Sequence, residues 1–243
     1  KRLEISLMSY KVIIPARLGS TRLPGKPLKE INGKTLIQRV VNQAKKSKAE
    51  SVCVATDSKD IIDHCNESQI DAILTSKNHQ TGSDRLAEAC NLLNLDEEIL
   101  IVNVQGDEPF IDPVDIDNLA SLARTKMSNM TTLFSSLHHE DFSDDNVVKL
   151  WLDSEGKVEN FSRKVNDENT INAKKHIGLY CYKAKFLREF VKWKQTSNEI
   201  ERSLEQMRAM DNGEEIYAIE SVSKYHLGVD TESDLNKAIE ISK

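Results

Sequence analysis

Cysteine, proline, glycine and aromatic residues are all scarce in this 243-residue chain: four Cys, five Pro, nine Gly, and 5% Phe, Trp and Tyr together. Cys53, Cys65, Cys90 and Cys181 stand far apart, with no paired zinc spacing. They are expected to be free thiols in a reducing cytoplasm rather than a disulfide or zinc scaffold. No stretch approaches the roughly 18–20 apolar residues that span a bilayer, so no membrane partner is expected. The beginning, "KRLEISLMSY", lacks the apolar core and small-residue cleavage site of a secretory signal. Met8 reads as a natural start, with residues 1–7 an added segment or extension. Positive charge is also in deficit, with 33 Lys and Arg against 39 Asp and Glu, for a net charge of −6. That balance speaks against nucleic acid as a partner, which needs a basic face. No repeat, low-complexity linker or Pro-rich break divides the chain, so one continuous domain over 8–243 is expected.

What is present is a regular alternation. "KVIIPA", "SVCVATD", "IDAILTS" and "EILIVNVQG" read as strands. Between them "TLIQRVVNQAKKS", with Leu36, Ile37, Val40 and Val41 at helical spacing, "SKDIIDHCNES", with Ser58 as its cap, and "GSDRLAEACNLLN" read as helices. Continuous apolar strands separated by helices predict a doubly wound α/β fold, a parallel sheet covered on both faces. Such sheets bind ligands at the carboxyl ends of their strands. The second half is less regular. "MTTLFSSL", "VVKLWLD", "KVENFSR", "HIGLYCYK" and "EIYAIES" read as strands, with a hairpin turn at "DSEGK". "KAKFLREFVKW" and "TESDLNKAIEIS" read as helices, the latter opened by Thr231 and Glu232. "NEIERSLEQMRAM" reads as one helix with Ile200, Leu204 and Met207 on one face and Gly213 as its cap.

Against the acidic whole, the stretch "IPARLGSTRLPGK" gathers Arg17, Arg22 and Lys26 in a loop that contains no acid. It follows the first strand, and Gly19 and Gly25 allow backbone shapes that expose amides. Such amides with Arg and Lys make a nest for phosphates. The spacing is neither the Walker pattern nor the dinucleotide fingerprint. On chemistry alone the loop binds a polyanion such as a triphosphate, or is a solvated basic loop. "VNVQGDEP" puts Asp107 and Glu108 at a strand end, and "GVDTESD" puts Asp230 at another. Magnesium prefers such carboxylates together with phosphate oxygens, although a lone Asp at a strand end is as readily a turn or cap residue. Gln105, two before Asp107, points to the same side if that segment is extended.

"PARLGSTRLPGKPL", "NGKTLIQRV", "VATDS", "TGSDRLAEA", "VNVQGDEPFI", "HIGLYCY", "LEQMRA" and "GVDTESDL" occur in this order. Together they resemble the 3-deoxy-manno-octulosonate (Kdo) cytidylyltransferases, the CMP-Kdo synthetases of lipopolysaccharide assembly, over essentially all of residues 10–240. The resemblance implies a mostly parallel, Rossmann-like nucleotidyltransferase sheet with a small β-rich insertion in the second half, and a cytoplasmic homodimer. It implies CTP and an acid sugar as substrates and Mg2+ as cofactor. It assigns Asp107 and Asp230 to the metal, and Arg17, Lys26, Asp107 and Asp230 to catalysis. Nucleotide contacts are implied at Ala16, Arg17, Ser20, Arg22, Lys26, Ser83, Arg85 and Gln105. Glu108 is expected behind the metal, and Asp234 in the first turn of a helix. Sugar contacts are implied at Gln105, Arg163, His176, Tyr180, Glu205, Gln206 and Arg208, with Arg163 the carboxylate partner.

The bare residues leave other readings open. Ser83 suits a helix N-cap and Arg85 a helix surface. His176 suits a structural role, and Glu205, Gln206 and Arg208 a solvated face. After "FSRK" the segment "VNDENTINAKK" is shorter than the family pattern and lacks its proline, and "QTSNEIERS" is also unusual. The 8-amino analogue of Kdo, or another acid sugar, therefore stands as an alternative acceptor. A sugar-nucleotide-binding protein without turnover is the alternative of another class.

Overall fold

Val12, Ile13 and Ile14 have no polar residue between them, and all three are fully buried. They lie in β1 (Tyr10–Ala16), at the centre of the sheet. The computed structural model describes residues 9–165, 171–223 and 226–243. Residues 1–7, Met8 and positions 166–170 of the short polar segment lie outside the described residues.

β4 (Ser51–Thr56) and β6 (Leu100–Asn103) flank β1 in parallel, and β5 (Ala72–Leu74) extends the sheet beyond β4. On the far side come β10 (Lys174–Lys183), β7 (Met130–Ser135) and β11 (Ile216–Glu220). β10 runs antiparallel to both β6 and β7, while β11 is parallel to β7. β8 (Lys149–Leu152) and β9 (Val158–Ser162) form a hairpin that attaches to β10, and this is the β-rich insertion. Gly156, at φ 82, makes its turn. A two-stranded hairpin, β2 (Glu30–Ile31) with β3 (Lys34–Thr35), stands apart from the main sheet.

Successive strand residues feed opposite layers. Val12, Ile14, Val54 and Val102 meet α1 (Leu36–Ala44), α2 (Lys59–Glu67) and α4 (Pro113–Thr125) on one face. Ile13, Ala55 and Ile101 meet α3 (Gly82–Leu92) and α5 (Ala184–Phe190) on the other. Each fully buried Val, Leu or Ile contributes about 1.5–3 kcal/mol, so these two layers carry the fold. All four cysteines are buried and unpaired. Among the described residues no helix is long and apolar enough to cross a membrane.

The parallel centre and two helical layers match the doubly wound expectation. Three local expectations are corrected. The helix read across "NEIERSLEQMRAM" is two, α6 (Ser197–Arg202) and α7 (Gln206–Asp211). Ser203 between them is left-handed, at φ 54. The break turns Ile200 out to 63% exposure while Leu204 and Met207 remain at 4%. Second, Ser83 is not the cap of α3. Thr81 is, in a reciprocal box with Asp84, which frees the Ser83 hydroxyl for another partner. Third, residues 105–108 are not extended, because the Glu108 amide donates to the Gln105 carbonyl and closes a turn. Asp234 does sit in the first turn of α8 (Glu232–Ile241), boxed with Thr231.

Candidate active site

The carboxyl ends of β1 and β6, the N-terminus of α3 and the segment carrying Asp230 enclose a cleft of about 690 Å3. Ala16, Arg17, Ser20, Arg22, Lys26, Arg85, Gln105, Asp107 and Asp230 all line it. Loop shape begins with local bonds: the Ser20 hydroxyl accepts from the Leu23 amide at 3.2 Å, leaving its proton to donate. Gly25, left-handed at φ 67, leads into the single helical turn that presents Lys26. Arg17 is exposed and makes no ion pair among the described residues.

Asp107 and Asp230 are joined through the backbone, where the Val229 amide donates to the Asp107 carbonyl at 2.9 Å. Lys26 Nζ bridges their side chains, at 2.7 Å from Asp107 Oδ2 and 3.0 Å from Asp230 Oδ1. Arg22 Nη2 reaches the other Asp230 oxygen at 3.0 Å. Burial works against the Lys26 charge, but the two carboxylates outweigh it and hold its pKa above the ordinary lysine value. Glu108 lies behind them. Burial first, and then the charges of Asp107 and Asp230, push its pKa up to about 7. Two converging carboxylates that already hold an ammonium, with a third, buried acid behind them, fit a divalent cation shared with phosphate oxygens. No cluster of three ligating side chains is present among the described residues, so any ion here would draw further oxygens from a bound ligand.

Gly106 sets the depth of the turn. A Cβ there would stand 2.8 Å from the Pro15 carbonyl oxygen, a backbone atom that cannot move aside. Gly106→Ala is therefore expected to displace Asp107 from Lys26. Turnover should fall about a hundredfold or more, with a loss of several degrees in Tm. A variant with wild-type rate would show that the turn tolerates the shift.

Arg85 is not on a helix surface. It is buried at the cleft wall, with Nη2 2.7 Å from Asp57 Oδ2 and Nη1 donating to Thr75 Oγ1. Gln105 Nε2 donates to the Gly178 carbonyl at 3.2 Å. That carbonyl sits at the register shift of β10 between Ile177 and Tyr180, a bulge. Ser83 Oγ donates to Glu205 Oε2 at 2.7 Å. Ser83, expected at the nucleotide, does not line the cleft. The Gln105–Gly178 bond links the cleft to a second hollow of about 390 Å3, lined by Arg163, His176, Gly178, Glu205 and Gln206 among others.

Of the expected sugar set, Arg163, His176, Glu205 and Gln206 line this hollow, whereas Gln105 lines the cleft and Tyr180 and Arg208 line neither. Arg163 stands at the rim, its guanidinium donating to the Asp145 and Ser203 carbonyls. His176 bonds Thr132 Oγ1 at 3.0 Å, and burial lowers its pKa to about 3. It is therefore a neutral hydrogen-bonding ring, not a proton relay near pH 7. Its ring contacts Phe161 edge-on and Tyr180 at a tilt. Burial raises the Tyr180 pKa, so its phenol keeps its proton. Glu205 Oε1 is buried with no hydrogen-bond partner, 3.6 Å from Arg208 Nη2. Gln206 is buried rather than solvated. Arg208 departs furthest from its expected role. At 4% exposure it is turned inward onto Glu199, with Nε–Oε2 at 2.8 Å and Nη2–Oε1 at 2.5 Å. It reaches the hollow only through Glu205, 3.6 Å away.

Some participants escaped the sequence reading. Asp57, the last acid of "VATDS", anchors Arg85. His79 lines the cleft and pairs with Glu88 at 2.5 Å, and Glu88 also takes the Ser76 amide. Glu199 holds Arg208. A capping box at Thr81 and an acid at the end of a strand were available as signals, but the partners come from elsewhere in the fold.

Asp230 ends no strand, contrary to the sequence reading, but lies in an irregular segment just before α8. A basic loop after the first strand, an Asp107–Asp230 pair brought together by the fold and an adjoining polar hollow define a nucleotidyltransferase. The cytidylyltransferase family profile matches residues 11–216. A relative from Polynucleobacter necessarius, named 3-deoxy-manno-octulosonate cytidylyltransferase, is 42% identical over 94% of this chain and 93% of its own. One of the same name from Cellvibrio japonicus is 40% identical over 95% and 96%. The chain belongs to the 3-deoxy-manno-octulosonate cytidylyltransferase family. A solved CMP:2-keto-3-deoxy-manno-octonic acid synthetase complexed with CTP superposes with a TM-score of 0.89 at 31% identity, covering 96% of this chain and 98% of that one. A glucose-1-phosphate thymidylyltransferase from Bacillus anthracis shares the fold at a TM-score of 0.70 and 14% identity.

Proposed function

We propose that this enzyme transfers CMP from CTP to the anomeric hydroxyl of 3-deoxy-D-manno-octulosonate and releases pyrophosphate. The observation that carries the reading is the Lys26–Asp107–Asp230 cluster, set in the cleft and joined through Gln105 to a hollow edged by Arg163. The anomeric oxygen attacks the α-phosphorus. That oxygen–phosphorus bond forms as the bond to the pyrophosphate oxygen breaks, and the hydroxyl proton leaves to solvent or to a nearby base. The protein's share is positioning and charge. Arg17 and Arg22 spread the charge of the β- and γ-phosphates, and Lys26 can swing from the two aspartates to the leaving oxygens. Arg163 takes the sugar carboxylate, while Gln105 and Glu205 order its hydroxyls. Asp107 and Asp230 would hold magnesium, which would supply positive charge to the triphosphate and Lewis acidity to the attacking hydroxyl. A homodimer is part of the reading on resemblance alone, and four unpaired thiols suit a reducing cytoplasm.

The test is pyrophosphate release with CTP and Mg2+, comparing Kdo, 8-amino-Kdo and N-acetylneuraminate, with and without EDTA. Release with Kdo that EDTA abolishes supports the reading. A strong preference for the amino sugar would reassign the acceptor. No release with any sugar would overturn enzymatic transfer to these acids.

A further inference from the structure

Lys149, in β8, is fully buried at 0% exposure. Its ammonium donates to two main-chain carbonyl oxygens, those of Asp144 and Arg163, both at 2.8 Å. Among the described residues no carboxylate comes within ion-pair distance of it. A buried ammonium without a counter-ion is costly, and a methionine would fill similar space without that cost. Burial accordingly lowers the Lys149 pKa, against the pull of Asp145, Asp144 and Asp141. The reaction proposed above does not use this lysine.

The two carbonyls it joins locate its role. Asp144 opens the strip 144–148, which walls the second hollow through Asn146 and Val148. Arg163 ends the β9 arm of the insertion, 14 residues after Lys149. The same strip also receives the Arg163 side chain, through the Asp145 carbonyl at 3.1 Å. Lys149 thus fixes both the backbone that carries Arg163 and the platform against which its guanidinium rests. With two of its five N–H donors committed to carbonyls, that guanidinium keeps others for a carboxylate.

We infer that Lys149 is the positioning residue of the acceptor site, clamping strip 144–148 to residue 163 so that Arg163 is aimed before the acid sugar arrives. This rests on the acceptor reading above. A preset guanidinium saves ordering cost on binding, so loss of the clamp acts on sugar affinity and not on the nucleotide.

The experiment is a double-mutant cycle of Lys149→Met and Arg163→Ala, with steady-state KM for CTP and for Kdo. Lys149→Met is expected to raise the Kdo KM about tenfold, with kcat and the CTP KM within about twofold. Lys149→Arg, which keeps the charge and donors, should recover part of the loss. Because Lys149 acts through Arg163, adding Lys149→Met to Arg163→Ala should raise the Kdo KM no further. Additive effects, or equal loss for both substrates, would make Lys149 merely structural and overturn the inference. So would an unchanged Kdo KM in Lys149→Met while Arg163→Ala raises it. If Arg163→Ala itself leaves the Kdo KM unchanged, the acceptor reading fails instead. Should Lys149→Met not fold, Lys149→Gln enters the same cycle with the same outcomes.

Discussion

Asp107→Asn is expected to lower kcat about a thousandfold or more while the chain keeps its fold. The side chain keeps its volume and can still accept from Lys26, but the charge that faces the triphosphate is gone. The bond that brings the Asp230 segment to this place uses the Asp107 main-chain carbonyl, not its carboxylate. Asp230 therefore stays with Lys26 and Arg22. Glu108, relieved of one like charge, should titrate at lower pH. The checks are pyrophosphate release at saturating CTP and sugar, with Tm measured in parallel. A rate within tenfold of wild type would remove Asp107 from the reacting centre. A collapse in Tm would make its role structural.

Arg17→Ala should lower kcat/KM for CTP about a hundredfold or more, with no change in Tm. Arg17 differs from its two basic neighbours. Lys26 and Arg22 are already engaged with acids in the free protein, whereas Arg17 is exposed with no ion pair among the described residues. Its loss removes nothing from the folded chain alone, so its whole effect falls on the complex. Arg17→Lys should recover only part, since a point charge cannot repeat the planar fork on phosphate oxygens. Titrating CTP by calorimetry separates binding from chemistry. Unchanged affinity and rate would return the loop to solvated surface.

The central sheet was legible because its signals are local. Apolar runs in β1, β4 and β6 and the helical spacing in α1 survive into the fold unchanged. The ends of those strands, with Arg17, Lys26 and Asp107, followed from topology, and Asp230 from the resemblance. What was not legible depends on partners distant in sequence. α4 went unread although Asp112 caps it, Pro113 opens it and its buried Ile116, Leu119, Ala120 and Ala123 fall at helical spacing; two of those four are alanines, which make a weak apolar stripe. The left-handed Ser203 has no sequence marker, as Gly would. Only the fold shows that it lets Glu199 and Arg208 meet in the interior, where charge would not be sought without a partner in view. Lys149 is a lysine inside an apolar strand, and nothing in "VVKLWLD" says that two carbonyls await it.

The bridge from Lys26 to Asp230 spans 204 positions of the chain. A protein leaving the ribosome folds from its N-terminal side first. The basic loop, the central strands and Asp107 can therefore settle while Asp230 has yet to be made. Until then Lys26 has half of its acidic pair, and the nucleotide cleft lacks a wall. Competence for turnover should appear late and abruptly in synthesis. A nascent chain halted before residue 230 would hold most of the sheet and consume no CTP.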